Sequence, residues 1–537
     1  MMKRRNTLFL AVFAIAGAFG CQAILGIDDT TFEKDAGSSS DAGSGDGASS
    51  DGNAATDSSS PSVVLSPPSV RLLPGGSADV TVTIARGGVS GDVTISANDL
   101  DAGVGIASIA IPDGQSQGTL HVTASPSAVP GAQDVAIVQA SLPANNVAPL
   151  TVAIVGAPGT IDESFANGEA AFTPGDAGLG ATAVAVGIQS DGQIVLGIQP
   201  GSNSGWTVVR LTQAGDLDPT FDTNAASVMP ADGALEDLVI GTHDDIFVAG
   251  TSQNELTAVH LNADGTRDNS FGTNGVAKLD TVNFSQGSTG TGIAVQTDDR
   301  PVVCGGVGGS GSGLVVRFDA NGDRDTTFGG SGATFGASTQ SFNRIVALPD
   351  DRLVIGGTES PHHLIFHMDK NGAPDTSFSP SGAVDGIELP LGGQDVTFLP
   401  DAGYVVVGRD FQGNGYAALT SFALAGDASV ESELDESVTS INASLSSVKS
   451  LPGNLFLITG NGGGSYNHTT FLLRMQNIST TDPSFADGGG VVFAADHSIP
   501  SSIPYRFFED VAVAPDGRIV VVGNQQNSGV LVVRVWP

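Results

Sequence analysis

VVRLTQAGDLDPTF (residues 208–221) recurs in closely similar form, 107 positions later, as VVRFDANGDRDTTF (residues 315–328). This repetition of fourteen residues indicates the fold. In each stretch an aliphatic pair precedes an arginine, and an Asp-x-x-Phe group begins eight positions after that arginine. Recurrence on this scale predicts a repeat architecture in which each copy is one supersecondary unit. Further copies of the pattern lie elsewhere in the chain.

A cationic or polar residue followed eight positions later by Asp-x-x-Phe occurs five times in complete form. The residues of these copies are Arg210, Asp218 and Phe221; His260, Asp268 and Phe271; Arg317, Asp325 and Phe328; His367, Asp375 and Phe378; and Arg474, Asp482 and Phe485. A degenerate copy before the last of these has Ser421 and Ser429 in place of both charged residues. At the ends of the repeat region, Asp162 and Phe165 lack an upstream partner strand, and Arg534 starts a copy that runs off the chain.

A second motif, an Asp/Gly turn followed by an apolar strand, keeps the same count. Its seven copies are DGQIVLG (191–197), DDIFVAG (244–250), DDRPVVCG (298–305), DDRLVIGG (350–357), DAGYVVVG (401–408), GNLFLITG (453–460) and DGRIVVVG (516–523). The first and last Asp lie 325 residues apart, which gives a period of about 54 residues. Four strands per unit and seven units predict a seven-bladed β-propeller over residues 157–537.

These residues also carry a family resemblance. VVRLTQAGDLDPTF, LNADGTRDNSFGTNG and VAPDGRIVVVG resemble the delta-60 repeat family of bacterial β-propeller proteins. The resemblance covers about 380 residues, from residue 157 to the end, and the degenerate copy departs from it. It implies the propeller fold and adds little about chemistry.

The repeat motif has physical explanations. A hairpin with its turn midway puts the cation opposite the Asp eight positions on, where the two would form a charge-assisted pair. The alternative is that the Asp caps its own turn by accepting backbone N–H bonds. The Phe is expected to fill the space between blades. The strand around Asp162 should complete the last blade beside Arg534, which removes two exposed sheet edges and closes the ring.

The N-terminus predicts an exported protein. Three basic residues, Lys3, Arg4 and Arg5, precede an apolar run at 8–19 that is too short to span a bilayer and fits a secretory signal at 1–20. The segment AGAFGCQA resembles a bacterial lipobox, which implies that Cys21 is lipidated. A simple secretion signal or an uncleaved anchor are the alternatives. By analogy with lipoprotein sorting, the absence of Asp after Cys21 favours the outer membrane of a Gram-negative bacterium.

Two further segments precede the repeats. Residues 21–61 are predicted to be a lipidated, disordered tether, because their Ser, Gly, Asp and Ala residues cannot bury enough surface to offset chain entropy. Residues 62–156 hold seven short strand-like runs, most of them alternating apolar and polar residues. They suit an immunoglobulin-like β-sandwich, although the segment has no Cys pair and no Trp. The predicted fold is therefore all-β, an Ig-like sandwich followed by a propeller.

The charge and the acidic residues limit the chemistry. A formal net charge of −36 argues against a nucleic-acid partner, since phosphate binding needs a basic footprint. No cofactor is expected, with calcium as the one candidate. The stretch DANGDRD resembles part of a calcium loop, although its glycine falls fourth instead of sixth; an ordinary hairpin turn is the competing interpretation. The oxygen-bearing residues of this stretch are Asp319, Asn321, Asp323 and Asp325.

Histidine and cysteine offer weaker candidates. On a helix, His363 and His367 would share a face and could bind zinc, but the repeat places them, with His362, on a strand and predicts a structural role. Cys304 lies in an apolar run without a basic neighbour, so we expect a buried strand residue and no internal disulfide.

The sequence favours a non-enzymatic function. Gly-rich and polar loops recur before each repeat strand, so they share one rim of the ring, where a propeller would bind a ligand; the alternative is that they only solubilise the rim. We expect a monomeric, membrane-anchored binding or scaffold module for an unknown protein or glycan. The second hypothesis is a glycan-acting enzyme with two carboxylates about 5–10 Å apart at the ring centre. The sequence marks no such pair.

Overall fold

The fold is all-β, as predicted. The computed structural model describes residues 60–97, 103–143, 146–166, 169–172, 181–201, 205–221, 229–279, 287–308, 312–359, 362–385, 391–410, 417–424, 429–433, 443–462, 469–486, 489–494, 506–525 and 529–537. These residues form 37 strands and a few short helical turns, among them the 3-10 segments Phe328–Gly330 and Pro452–Asn454. In this part of the chain no helix is long and apolar enough to cross a bilayer.

The first nine strands form two sheets, called here the N-terminal sheets. Their bounds are β1 (Ser62–Ser66), β2 (Ser69–Leu72), β3 (Ser77–Ala85), β4 (Val93–Ala97), β5 (Val104–Ile106), β6 (Ile109–Ile111), β7 (Gln117–Ala124), β8 (Gln133–Ala140) and β9 (Val147–Ile154). One sheet has the order β1-β3-β7-β5 and the other the order β2-β9-β8-β4-β6. All described pairings in them are antiparallel except β2 with β9.

The N-terminal sheets enclose one hydrophobic core. Buried and exposed residues alternate along β3, β7, β8 and β9, which is the pattern of strands with one dry face. Val80 and Leu120 of the first sheet and Val138 and Leu150 of the second belong to the same buried cluster. Each such side chain stabilises the fold by roughly 1.5–3 kcal/mol when it leaves water.

The remaining strands form seven sheets in the described part of the chain, numbered 1 to 7 here along the sequence. Sheet 1 holds β11 (Thr182–Ile188), β12 (Ile194–Gln199) and β13 (Thr207–Leu211); sheet 2 β14 (Ala234–Ile240), β15 (Ile246–Ser252), β16 (Glu255–Leu261) and β17 (Val276–Lys278); sheet 3 β18 (Ser288–Val295), β19 (Pro301–Val307), β20 (Gly313–Arg317) and β21 (Ala333–Phe335); sheet 4 β22 (Gln340–Ala347), β23 (Leu353–Glu359), β24 (His362–Met368) and β25 (Ala383–Asp385). Sheet 5 holds β26 (Leu391–Leu399), β27 (Gly403–Asp410), β28 (Ala417–Phe422) and β29 (Ser429–Glu433); sheet 6 β30 (Ser444–Ser450), β31 (Phe456–Gly462), β32 (Thr469–Asn477), β33 (Thr480–Thr481) and β34 (Gly490–Ala494). Sheet 7 holds β35 (Arg506–Val513), β36 (Ile519–Gln525), β37 (Gly529–Val535) and, from the other end of the repeat region, β10 (Glu169–Phe172).

The seven sheets pack as a closed series. The first long strand of each sheet contacts that of the next, in the order β11, β14, β18, β22, β26, β30 and β35, and β35 contacts β11 again. Each apolar cluster is shared by two neighbouring sheets, and six of these clusters contain the Phe of an Asp-x-x-Phe group. The buried rings at these sheet boundaries are Phe165, Phe221, Phe271, Phe328, Phe378 and Phe485. Aromatic burial between sheets therefore supplies much of the contact that holds the series together.

The two ends of each sheet differ. At the turn end, an Asp/Gly turn joins the first strand to the second; at the loop end, the second strand leads into the third. Carboxylates bridge neighbouring sheets at the turn end: Asp244 accepts the backbone N–H of Ser190 at 2.7 Å, and Asp351 accepts that of Thr297 at 2.7 Å. Both acceptors have positive φ angles of 64° and 65°, a conformation that Asp tolerates better than most side chains.

The N-terminal sheets contact sheet 7 at its turn end. The indole of Trp536, which follows β37, packs on the backbone of Gly156 and leaves no room there for a side chain. Arg71 of β2 approaches the Asp/Gly turn at Gly517. The N-terminal sheets thus lie on the side of the series opposite to the loop end.

The beginning and the end of the series meet in sheet 7. Strand β10 pairs with β37, and Arg534 donates from Nε to Asp162 Oδ2 at 2.8 Å. Arg518 adds a second cation at 3.1 Å from the same oxygen. Asp162 is 0% exposed and Arg534 is 5% exposed, so this pair is shielded from water and from salt.

We predict that Asp162→Asn lowers the free energy of unfolding by about 3–5 kcal/mol, because it leaves the buried Arg534 without its counter-charge. Urea denaturation followed by tryptophan fluorescence measures the effect. The control is Glu163→Gln, the same chemical change at the exposed neighbouring residue. Equal stability of the two variants would contradict a role for this pair in closing the series.

Candidate functional site

A β-bulge recurs at the same place in the first long strand of each of the seven described sheets. The register shifts there between Ala183 and Ala185, Leu235 and Asp237, Gly290 and Gly292, Phe342 and Arg344, Gly393 and Asp395, Leu445 and Ser447, and Phe508 and Asp510. A bulge adds one residue to a strand and changes the direction of its side chain. The added residues are Val184, Glu236, Thr291, Asn343, Gln394, Ser446 and Glu509.

The added residues of all seven bulges line one cavity of about 780 Å³, called here the bulge cavity. The other lining residues are Arg344, Ser444, Leu445, Asn461, Gly462 and Phe507. This volume lies in the range of small-molecule sites. The lining is mostly polar: two carboxylates, one guanidinium, several amides and hydroxyls, and the aromatic ring of Phe507.

The bulge cavity lies toward the loop end of the sheets. Each bulge falls near the start of its strand, and the start of β11 pairs with the end of β12, as the pairing of Thr182 with Gln199 shows. Gly462, which lines the cavity, is the last residue of β31 before a connecting loop. The rim loops that the sequence proposes as a binding surface lie at this end, and large parts of them fall outside the described residues.

Three aspartates next to the lining of the bulge cavity, two of them buried and Asp237 half-buried, are called here its floor. Asp237, Asp395 and Asp510 directly follow an added residue in sheets 2, 5 and 7. One carboxylate oxygen of each accepts the next N–H of its own strand, and the other accepts the corresponding N–H of the following sheet. The bonds of this second kind run from Ile293 to Asp237 (3.0 Å), from Val448 to Asp395 (2.8 Å) and from Val186 to Asp510 (2.9 Å).

Two further residues connect these aspartates across the floor. The hydroxyl of Ser447 lies 2.9 Å from Asp395 Oδ2 and 2.7 Å from Asp510 Oδ1. Arg344 Nη1 lies 3.0 Å from Asp237 Oδ1 and also donates to the carbonyl oxygen of Glu236 at 3.0 Å. Every carboxylate of the floor therefore has several donors, which is what buried charges require.

Burial and charge shift the pKa values around the cavity. Burial raises the pKa of Glu236 and of Glu509, and the positive charge of Arg344 opposes both shifts only in part. Burial also raises the pKa of Asp237, again against Arg344. For Arg344 itself, burial lowers the pKa, but Asp237, Asp395 and Asp510 outweigh it, so the pKa is raised and the guanidinium stays charged.

The repeat residues form clusters at the turn end, away from the bulge cavity. Arg210 donates from Nη2 to Asp218 Oδ2 at 2.7 Å and lies over the ring of Phe221 at 4.7 Å. The other oxygen of Asp218 accepts the backbone N–H of Thr220 at 3.1 Å. Bonds from the Thr220 hydroxyl and from Arg210 hold the pKa of Asp218 at about 2, although burial opposes them. The ion pair and the turn cap therefore occur together in one carboxylate.

The arrangement of Arg, Asp and Phe recurs in the other arginine copies. The Arg Nε donates to the Asp at 2.9 Å in sheet 3 and at 2.8 Å in sheet 6, and the guanidinium lies 4.8 and 4.7 Å from the ring centroid of the Phe. The residues are Arg317, Asp325 and Phe328, and Arg474, Asp482 and Phe485. In sheet 7, Arg534 lies 4.7 Å from the ring centroid of Phe165. In sheet 5, Ser421 stands opposite Val430 in the strand register, and Ser429 begins β29.

Two copies replace the arginine by histidine. His260 lies between two carboxylates, 2.7 Å from Asp245 Oδ2 and 2.9 Å from Asp268 Oδ2, and 5.5 Å from the ring of Phe271. His367 stacks on Phe378 at 4.0 Å and lies 3.8 Å from Asp375. Burial lowers the pKa of His367 to about 4, so the imidazole is neutral at neutral pH.

The remaining candidates have structural partners. Asp319 Oδ1 accepts the N–H groups of Asn321 and Asp323 at 2.9 and 3.0 Å, which makes it the cap of the hairpin turn. Asp325 is committed to Arg317, so the four calcium candidates do not converge, and within the described residues no group of three or more His, Cys, Asp or Glu could hold a metal ion.

His362 and His363 lie on β24, and His363 Nδ1 is 2.8 Å from the Thr420 hydroxyl. Cys304 is buried in β19, and burial raises the pKa of its thiol to about 12, which makes it a poor nucleophile at neutral pH. Cys21 lies outside the described residues, as does almost all of the proposed tether.

Comparisons with known proteins support the fold. The sequence model of a family described as "Domain of unknown function (DUF5122) beta-propeller" matches residues 189–221 and 296–328. Both matches run from a glutamine at the end of the first strand to the Phe of Asp-x-x-Phe, in sheets 1 and 3. They support a β-propeller family for this part of the chain. None of the curated proteins matches the sequence.

Solved structures show only distant likeness. The crystal structure of polysaccharide lyase Uly1 has 11% identity and a TM-score of 0.36, over 68% of this chain and 92% of that one. Surface layer protein SbsC, domains 4–9, has 12% identity and a TM-score of 0.15, over 88% and 64%. Salmonella alpha-2-macroglobulin reacted with methylamine has 10% identity and a TM-score of 0.17, over 89% and 23%. TM-scores this low carry no argument about function.

We predict that His367 contributes a decrease of about 3 kcal/mol to the free energy of unfolding as the pH drops from 6.5 to 4. The reason is that its imidazole binds a proton more readily in the unfolded state than in the fold. The variant His367→Gln should lack this part of the pH dependence in thermal unfolding scans. The control is His243→Gln, whose side chain is 81% exposed. An unchanged pH profile in the His367 variant would contradict the prediction.

Proposed function

We propose that this chain is an exported, lipid-anchored and non-enzymatic binding protein that takes a glycan in the bulge cavity. The observation that carries the proposal is the convergence of seven added residues, one from each described sheet, on a single polar cavity. Residues that only face solvent would not need a bulge at the same place in each of sheets 1 to 7. A binding site to which all seven sheets contribute a side chain would need one.

The proposal includes a seven-bladed β-propeller of the delta-60 type that follows an Ig-like sandwich. Seven described sheets in a closed series, with β10 completing the last one, support seven blades. Two sheets around one core support the sandwich. In this arrangement the bulge cavity is the loop-end mouth of the propeller's central channel, and the floor residues close the channel below it.

The chemistry of the lining favours a glycan over other ligands. Sugar hydroxyls are donors and acceptors at once, and the amide side chain of Gln394 can serve both needs. Asn461 is held by hydrogen bonds to the backbone of Phe508, and the amide nitrogen of Asn343 donates to the carbonyl oxygen of Gly393. Phe507 adds an aromatic face that suits the apolar side of a sugar ring. An apolar ligand could not replace the water around the polar groups that it covers, which costs about 1–3 kcal/mol for each group left without a hydrogen bond.

The position of the N-terminal sheets fits display on a membrane. They contact the turn end of sheet 7, through Trp536 and Arg71, while the bulge cavity lies toward the loop end. A lipid anchor at Cys21, upstream of those sheets, would hold the turn end toward the membrane. The cavity would then face away from it, where a surface or periplasmic glycan is accessible.

We predict that the full-length protein binds one or more glycans on an oligosaccharide array, and that Ser446→Trp weakens this binding about tenfold or more by filling the cavity. Calorimetry with the best array ligand measures the change. Leu217→Trp, at an exposed residue of the turn end, is the control and should bind as the unchanged protein does. Binding of no glycan, or equal binding by both variants, would contradict the proposal.

We predict that Cys21→Ala abolishes incorporation of labelled palmitate and moves the expressed protein from the detergent phase to the aqueous phase of a Triton X-114 partition. Cys304→Ala is the matched control, because it removes the other cysteine of the chain and should leave the label in place. Labelling of the Cys21 variant would show a different anchor.

A second function, hydrolysis of a glycan, is favoured by one observation. Glu236 and Glu509 line the same cavity, and burial raises the pKa of both, as a general acid requires. A retaining or inverting glycosidase needs such a pair about 5–10 Å apart. Release of reducing ends from a bound oligosaccharide, lost in Glu509→Gln, would identify the enzyme and replace the non-enzymatic proposal.

A further inference from the structure

We propose that the bulge cavity selects glycans that carry free ammonium groups, such as oligomers of glucosamine, over neutral and acidic glycans. This inference rests on the proposed function, since it specifies the ligand class of the same site. It is carried by the charges that face the cavity and by the partners that those charges already have.

The positive charge of the cavity is already committed. Among the described lining residues Arg344 is the one cation, and it lies 3.0 Å from Asp237 Oδ1 while donating to the carbonyl oxygens of Glu236 (3.0 Å) and Thr291 (3.3 Å). These contacts turn the guanidinium toward the floor and the strand backbones. An anionic ligand would have to compete with Asp237 for it, at the cost of a partly buried ion pair.

The negative charges, in contrast, face the cavity. Glu236 and Glu509 are the added residues of their bulges, on sheets 2 and 7. Sheet 1 lies between these two sheets and contributes Val184 to the lining at the corresponding position. The two carboxylates therefore flank an apolar step, which suits a sugar ring over Val184 with ammonium groups at its edges.

Partial removal from water gives Glu509, which is half-buried, a reason to bind a cation, and Glu236, which is exposed, lines the same cavity. A carboxylate that is partly removed from water is stabilised most by an opposite charge within a few ångström. The positive charge of Arg344 offsets only part of the rise in the pKa of these two glutamates. An ammonium group on the ligand would supply further positive charge, and its three donors would form charge-assisted hydrogen bonds.

Acidic glycans meet a repulsive site. A uronate or sulfate in the cavity would add negative charge next to Glu236 and Glu509. In the floor, the three aspartates outnumber the two cations with which they interact, Arg344 and Lys449. The chain as a whole carries a formal charge of −36, which also slows the approach of polyanions. Selection therefore comes both from attraction of ammonium groups and from rejection of acids.

The test compares three pentasaccharides by calorimetry with the full-length protein: β-1,4-linked glucosamine, its N-acetylated form, and oligogalacturonate. We expect the free amine to bind about tenfold or more tightly than the neutral pentamer, and the uronate to bind most weakly. Glu236→Gln combined with Glu509→Gln should remove the preference for the amine, so that the amine and the neutral pentamer bind this variant with equal affinity. Glu163→Gln with Asp216→Asn removes the same charge from exposed positions and should keep the preference.

The outcomes separate the two proposals. Equal affinity for the amine and the neutral pentamer, tighter binding of the uronate, or equal loss of the preference in both double variants would overturn the charge selection and leave a glycan site in place. Binding of none of the three, together with a blank oligosaccharide array, would overturn the proposed function itself. The comparison of ligands on the unchanged protein decides the matter even if the cavity variant does not fold.

Discussion

The interaction on which this structure depends is a carboxylate that accepts backbone N–H groups from two neighbouring sheets at once. A bulge interrupts strand pairing, and a buried N–H without an acceptor costs about 1–3 kcal/mol. Asp237, Asp395 and Asp510 meet that need, each with one oxygen on its own strand and one on the next sheet. Because the second bond crosses a sheet boundary, the group that compensates the bulge also fixes the spacing of the sheets that carry the cavity lining.

The parts of the fold that the sequence predicts best are those that the chain repeats. The interval of eight residues places a cation opposite an Asp, and the structure has Arg210 and Asp218 in contact at 2.7 Å. Counting the copies places Asp162 beside Arg534, and the two are 2.8 Å apart. The ion pair and the turn cap are alternative explanations for the repeated Asp, but they exclude each other only if its carboxylate accepts from a single partner. Asp218 has two oxygens and uses one for each purpose.

The bulge cavity could not be predicted in the same way, because its lining residues are not repeated. The added residues are Val, Glu, Thr, Asn, Gln, Ser and Glu in the order of the sheets, so a search for recurrence passes over them. A bulge also moves a residue from the dry face of a strand into the cavity, which the alternation of apolar and polar residues does not reveal. One weak sequence signal marks the floor residues. In EDLVI, QDVTF and EDVAV, an Asp followed by an aliphatic residue lies at the same distance before the turn that ends the first strand of its sheet.

The residues that recur from sheet to sheet therefore lie at the turn end, and those that vary line the bulge cavity toward the loop end. At the turn end, the repeated Asp and Phe residues engage the arginines of the repeat, and bridging aspartates tie neighbouring sheets together. At the bulge cavity, Arg344 is the cation of the described lining, and Asp237 and two carbonyl oxygens hold it in the floor. These five arginines, in a chain of 21 basic and 57 acidic residues, thus have structural partners. The other charges of the described lining are the carboxylates of Glu236 and Glu509, and the proposed selection of a ligand depends on them.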